Sequence, residues 1–354
     1  MAFPTMRAVV MERFGGPDVL QPAEVPAPRP AADELVVAVE AVSINRSFDL
    51  LVRRDGNNRN VVLPHVLGAD PAGRVVEIGE AVEGFAPGDR VAVSSTIRCG
   101  RCRECAEGDE ASCRAPAMMG VHRWGGYAER VAAPAAIVHR VPDGITAADA
   151  CVIVRHAPAA YNQLVDKAAL EPGEWVLVMG AAGALGSFCV QIGKALGGRV
   201  IAAAGADSRV EAALALGADY GVNYRSEDLR ERVRAFTAGE GVNVVCENIG
   251  DPELWDAAFD SMAQRGRLVT MGAHGGGRVA LDIRKLYGRR LRVIGSAGVT
   301  GRNVDDALAA AARGGLTALI DSIHPLEEAA AQHRRLEESG SVVGKVILDP
   351  TLAA

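Results

Sequence analysis

Four of the chain's seven cysteines crowd into fifteen residues, as Cys99, Cys102, Cys105 and Cys113 with the spacing C-x2-C-x2-C-x7-C. Two-residue gaps let one loop return successive sulfurs to a common centre, and four thiolates make the closed tetrahedral site of a structural Zn2+. Such a site leaves no position open for substrate. Arg98, Arg101, Arg103 and Arg114 lie along the same loop, where they are expected to offset its formal double negative charge. Cys151, Cys189 and Cys246 sit in apolar segments and read as inert core residues.

A second pattern carries different chemistry. Gly180, Gly183 and Gly186 join the apolar run WVLVM (175–179) to a segment in which Leu185, Phe188, Cys189, Ile192 and Leu196 recur at helical spacing. A glycine-rich turn between a strand and a helix lets backbone approach a pyrophosphate, whose charge meets the helix N-terminus. The backbone from Gly180 through Ala184, Leu185 and Gly186 is therefore expected to hold a dinucleotide. At the end of the next strand, RVIAAA (199–204), an NAD site usually offers an acid to the ribose hydroxyl. Here Ala203, Ala204 and Gly205 stand instead. Asp207 comes late, and Ser208 with Glu211 reads as a capping box that starts a helix. Arg209 and Tyr224 are then available to a 2′-phosphate, which favours NADPH over NADH.

These sites need elements to position them. Residues 1–150 carry short β-branched runs broken by Gly and Pro (LVVAVEAVSI, GRVVEIG, DRVAVSS, GYAERVAAP), the pattern of a β-rich module. From about residue 160 strand-like and helix-like segments alternate, with later strands at VNVVCEN, RGRLVTMG and RLRVIGS, as in a doubly wound parallel α/β sheet. The tail returns to a helix over 326–338 and a strand over 344–349. The length of 354 residues suits two domains, and 49% hydrophobic with 23% charged residues suits ordinary globular cores.

A net charge of -6 argues against nucleic acid or an acidic membrane as partner. The pairs Arg53–Arg54, Arg289–Arg290 and Arg334–Arg335 read as solvated faces. No run of about 20 apolar residues is free of charge, so no membrane span is expected. Arg7, Glu12 and Arg13 break the first apolar run, which argues against a signal peptide. A cytoplasmic protein with reduced cysteines follows as the expectation.

The run EPGEWVLVMGAAGALGSFCVQIGKALGGRVIAAAGADSRVEAALALGADYGVNY resembles the cofactor domain of medium-chain dehydrogenase/reductases, above all the quinone-oxidoreductase-like branch. PHVLGADPAGRVVEIGEAVEGFAPGDRVAV and HPLEEAAAQHRRLEESGSVVGKVIL resemble that family's N-terminal and C-terminal parts, in the family's order. The resemblance implies a Rossmann domain over 155–296 inserted into a GroES-like catalytic domain formed by 1–154 and 297–354. It adds Arg46, Asn248, Gly272 and Ala273 to the cofactor site, a small-molecule substrate, and a homodimer or homotetramer.

Zinc alcohol dehydrogenases of this family hold a catalytic ion on a Cys, a His and a second Cys. By the resemblance those positions carry Asn45, with one extra residue before Asp49, then Ala69 of Gly68-Ala69-Asp70, then the neighbourhood of Arg155. Asn, Ala and Arg do not assemble an N/S-ligated zinc site. Asn45, Arg155 and His156 become the candidate catalytic residues, with His65 and His122 as loop histidines nearby in the sequence pattern. The implied activity is NADPH-dependent hydride transfer to an activated C=C of a conjugated carbonyl or to a quinone. A metal-free alcohol dehydrogenase or carbonyl reductase is the alternative, and a cofactor-binding protein without turnover is the remote one.

Overall fold

The computed structural model describes residues 4–338 and 342–353, the side chain of Asn57 apart. The chain divides into two compact units, Met1–Arg155 with Thr300–Ala312 and Ile320–Ala354, and His156–Val299 with Arg313–Leu319. The sequence reading kept residues 313–319 with the chain's ends. The structure places them in the second unit, because the Gln191 amide grips Thr317 on both sides: its Nε2 donates to the Thr317 carbonyl at 3.0 Å and its Oε1 accepts from the Thr317 N–H at 2.7 Å.

The first unit is β-rich. Its larger sheet runs in the order Val138–Arg140, Arg90–Val93, Ala72–Ile78, Glu34–Ser43, Lys345–Asp349, Ile320–Pro325, and Arg130–Pro134 also pairs with Glu34–Ser43. A smaller sheet joins Gln21–Pro26, Thr5–Met11 and His65–Val66. One pairing matters most for chemistry. Lys345–Asp349 lies antiparallel to Glu34–Ser43, with Ile347 opposite Ser43, and Ile44 N–H bonds the Val346 carbonyl at 2.9 Å. That register carries Lys345, the one cation of the strand KVILD, to the residues that follow Ser43.

Arg53 departs from the solvated reading of its dipeptide. It is only 1% exposed, and its terminal nitrogen pairs with Glu337 near the end of the helix Ala329–Glu338. Arg334 pairs with Asp18 and Arg335 with Asp321, so tertiary carboxylates take up three of the six paired arginines.

The second unit is a six-stranded parallel sheet in the order Tyr220–Asn223, Arg199–Ala204, Trp175–Met179, Val242–Glu247, Met262–Thr270, Arg292–Gly295. Numbered along the sequence this is 3-2-1-4-5-6, the order of a dinucleotide-binding sheet. Val176, Leu177, Val178 and Met179 are all fully buried, as expected of a parallel strand covered on both faces. The helix Asp207–Ala215 differs in its start: Ala206 is the N-cap residue, no side chain caps it, and Ser208 and Glu211 form no capping box. Asp207 is the first helical residue instead, and its carboxylate accepts from Asn223 Nδ2 at 2.6 Å.

Candidate active site and metal lobe

In the first unit the loop after Thr96–Ile97 gathers the four sulfurs of Cys99, Cys102, Cys105 and Cys113 within 4.8 Å of one another. A zinc ion with bonds of about 2.3 Å places tetrahedral sulfurs about 3.8 Å apart, so the donor set fits Zn2+ with small adjustment. Backbone N–H groups of Arg101 and Cys102 draw the Cys99 thiol below its ordinary range, and that of Cys99 does the same for Cys113. Cys105 is pushed up to about 12, first by the neighbouring Cys102 sulfur. Crowded sulfurs resist ionising together, and a dication removes that conflict. The surrounding arginines act otherwise than the sequence suggests: Arg98, Arg103 and Arg114 are engaged by Glu110, Glu107 and Glu104. These ion pairs tie the lobe's own turns together. Glu110 also accepts from the Gly301 N–H at 3.0 Å, which anchors the lobe to the returning chain.

The residues at the family's catalytic-metal positions form a different kind of centre, also within the first unit. The extra residue before Asp49 is absorbed by a π-helical turn, Arg46–Leu50, in which Asp49 and Leu50 N–H groups reach back to the Asn45 carbonyl at 2.8 and 3.4 Å. Single π turns of this kind recur at functional sites. The wider turn lets the Asp49 carboxylate accept from Asn45 N–H at 2.7 Å and Gly68 N–H at 3.2 Å. Asn45 is 4% exposed, and its amide is committed at both ends: Nδ2 donates to Asp70 at 3.0 Å, and Oδ1 accepts from Lys345 Nζ at 2.7 Å. Lys345 donates also to the Ile44 carbonyl at 2.6 Å. Asp70 accepts from Ser43 N–H and hydroxyl at 3.0 and 2.6 Å.

Burial dominates the electrostatics of this cluster. It pushes the Asp49 carboxyl up to about 6, with Asp70 adding to the rise, and pulls the Lys345 ammonium down to about 8 against the attraction of Asp70 and Asp49. Arg155 closes the group. It lies in the helix Ala147–Tyr161, half-buried, and Nη1 donates to Ser95 Oγ at 2.7 Å. Burial draws its guanidinium below the ordinary range while Asp70 and Asp49 oppose that. Among the described residues, only the four cysteines group as three or more metal-donor side chains. His156 is the next residue on the same helix, and adjacent helical side chains diverge by about 100° rather than facing one another. Arg155 thus joins the cluster without carrying His156 beside it.

The glycine turn belongs to the second unit. Gly180 adopts φ +65, and a Cβ on Gly186 would lie 2.2 Å from the Gly180 carbonyl oxygen, so only glycine permits this close return. Gly183 is the exposed N-cap of the helix Ala184–Ala195, and Ala184 and Leu185 form its half-exposed first turn. The cradle therefore fits a dinucleotide pyrophosphate on backbone N–H groups at a helix start.

Beyond Ala204, a Cβ on Gly205 would meet the Tyr224 ring and hydroxyl at 3.0 Å and Arg225 Nε at 3.2 Å. Burial raises the Tyr224 hydroxyl's pKa, while Arg209 and Arg225 pull it down. Sequence reasoning found Arg209 and Tyr224 but missed Arg225, whose only signal was its place just past Tyr224. Asn248 holds the sheet's interior, donating to the Met179 carbonyl at 3.3 Å and accepting from Gln163 at 2.9 Å. Gly272 passes so close to the Asn248 carbonyl that a Cβ would lie 2.0 Å from it; Gly272 and Ala273 line a cavity of about 350 Å³ with Gly250 and Ser296. Arg46 is exposed in the first unit.

Sequence reasoning also missed Lys345, Asp49, Ser43 and Ser95. A lysine and an aspartate inside apolar runs were the available signals.

Comparison with known proteins agrees with this geometry. The family described as alcohol dehydrogenase GroES-like domain matches residues 31–143, and the family described as zinc-binding dehydrogenase matches residues 184–322. The chain is 31% identical over 354 residues to an NAD-dependent alcohol dehydrogenase of Sulfolobus acidocaldarius, covering 98% of this chain and 100% of that one. It is 26% identical over 350 residues to the quinone oxidoreductase of Homo sapiens, covering 97% of each. The crystal structure of an NAD-dependent alcohol dehydrogenase superposes with a TM-score of 0.90 at 36% identity, over 97% of this chain and 99% of that one. The chain belongs to the medium-chain dehydrogenase/reductase superfamily and is an oxidoreductase of that type, with a Rossmann domain and a GroES-like domain.

Proposed function

We propose that this protein is an NADPH-dependent reductase of an activated C=C in a conjugated carbonyl, or of a quinone, and that it works without a catalytic metal. The observation that supports this reading is the cluster of Asn45, Asp49, Asp70, Lys345 and Arg155, where two organic cations and two carboxylates stand in place of metal ligands. The reduced nicotinamide supplies the hydride when bound. The turn from Gly180 to Gly186 holds the pyrophosphate, and Arg209, Tyr224 and Arg225 hold the 2′-phosphate. Arg155 is the catalytic residue that stabilises negative charge on the substrate oxygen, as an oxyanion donor does. Asn45 acts through others: held by Lys345 and Asp70, it fixes the floor on which Arg155 works.

The named relatives include NAD-dependent enzymes. The preference for NADPH rests on this chain's own Ala204, Gly205 and Arg225. The second reading, a carbonyl or alcohol oxidoreductase, is favoured by those same relatives. A panel of enals, enones, quinones, ketones and alcohols with each nucleotide, followed by nicotinamide absorbance, separates them. Turnover confined to ketones and alcohols, or NADH matching NADPH, removes the first reading. Absence of turnover throughout leaves a cofactor-binding protein. The same reading includes a cytoplasmic homodimer or homotetramer. Arg292–Gly295 ends the parallel sheet, and Val293, Ile283 and Tyr287 are exposed at 37%, 57% and 70% on and beside that edge.

A further inference from the structure

Phe48, on the π turn, is the meeting point of two cations. The guanidinium carbons of Arg59 and Arg155 each stand 4.8 Å from the centroid of its ring. The two charges are therefore separated by no more than twice that distance. Neither arginine has a carboxylate within ion-pair distance among the described residues. Arg59 Nη1 donates only to the Met118 sulfur at 3.1 Å, and Arg155 Nη1 to the neutral Ser95 hydroxyl at 2.7 Å. Sulfur is a weak acceptor, and five N–H donors on each guanidinium leave most of their capacity unused.

The backbone on either side of Arg59 is left-handed. Asn58 and Asn60 on either side have φ of +53 and +54, a region that non-glycine residues seldom occupy. The Arg59 N–H bonds the Gly56 carbonyl at 3.0 Å. Like charges beside one buried ring repel. Other arginines of the first unit, such as Arg7, Arg74 and Arg140, are paired with acids. Arg59 and Arg155 have no such acid among the described residues.

We propose that the Arg59–Phe48–Arg155 group is a carboxylate subsite, so that the substrate is a short oxo acid or enone acid. Arg155 takes the reacting carbonyl oxygen and Arg59 the carboxylate. The planar guanidinium fork matches a carboxylate in geometry, and contact with the aromatic ring helps to orient each fork. The proposal rests on the reductase reading for the role of Arg155, while Arg59 can be tested without turnover.

The test uses the full chain with bound nucleotide and the unreactive saturated keto acid levulinate, followed by titration calorimetry, beside its methyl ester. Wild-type protein is expected to bind the acid and bind the ester at least tenfold more weakly. Arg59→Met is expected to weaken levulinate about tenfold or more, the scale of one charge-assisted hydrogen bond, with the ester and the nucleotide unchanged. Arg59→Lys should recover part of the loss, and the melting temperatures of both variants certify the fold. In kinetics, Arg59→Met should raise KM for acetylacrylate with little change in kcat. Equal binding of acid and ester, or levulinate binding untouched by Arg59→Met, overturns the proposal. Weakened nucleotide binding with unaltered levulinate binding assigns the anion to the cofactor's phosphates and overturns it too. Arg59-dependent levulinate binding by a protein that turns over no conjugated carbonyl would defeat the reductase reading alone and uphold the subsite.

Discussion

The lobe around Cys99 and the cluster around Asn45 are two solutions to the same physical problem, concentrated charge in a folded chain. In the lobe the ligands are neighbours in sequence, half-exposed, and mutually repulsive until an ion joins them. In the cluster the hydrogen-bonded members come from residues 43–49, 70 and 345, are buried, and balance one another through those bonds. A metal can hold a site that barely has a core. A protein that gives up the metal must supply both signs of charge and every donor and acceptor from side chains, since a buried unpaired charge is strongly destabilising.

Removing the lobe's metal should have the largest effect. Structural zinc contributes on the order of 10 kcal/mol to small sites, so strong chelation should unfold the region around 98–114. Elemental analysis should find about one zinc per chain, and hydrogen exchange before and after chelation should show the loss confined to the lobe. Two tightly held zincs per chain would erase the contrast between the regions.

The cluster should break from within. Lys345→Met leaves Asp49, Asp70 and the Ile44 carbonyl without their cation, and an orphaned buried charge costs about 3–5 kcal/mol. Denaturant unfolding measures it, and a loss below about 1 kcal/mol would show that the ammonium is not integral.

Arg155→Met should leave the fold nearly intact yet lower the rate about 10²–10³-fold, with NADPH affinity kept. Rate and melting temperature on the same sample decide: a lower melting temperature with full rate per folded molecule would make Arg155 a structural partner of Ser95 only.

The smallest effect is a slope with pH. Asp49 titrates near 6 in the fold and near 3.8 when unfolded. Between these values the folded state keeps a proton that the unfolded chain has lost, so stability should fall as pH rises from about 4 to 6, by on the order of 1–3 kcal/mol. Lys345, lowered to about 8 from 10.5, works in the other direction: from about 8 to 10.5 the unfolded chain holds the extra proton, and stability should rise with pH. Asp49→Asn should flatten the acid limb in urea titrations across that range. An unchanged limb would assign it to another group.

The sequence alone determined what is local. Two-residue cysteine gaps, glycines between a strand and a helix, and uninterrupted apolar runs are short-range patterns, and the strand Trp175–Met179 and the thiol cluster lie where those patterns put them. It also showed which metal ligands were missing. What replaced them was not legible, because Lys345 reaches Asn45 across three hundred residues only through the pairing of Lys345–Asp349 with Glu34–Ser43. The extra residue before Asp49 was visible as a count; that it becomes a π turn returning the carboxylate to Asn45 N–H depends on the bonds available around it. Burial settled the rest. Arg53 reads as a surface residue beside Arg54, and Ser208 reads as a cap three residues before Glu211. The folded chain decided otherwise, burying Arg53 near Glu337 and starting the helix at Asp207, because tertiary partners outweigh propensities worth a kcal/mol or less.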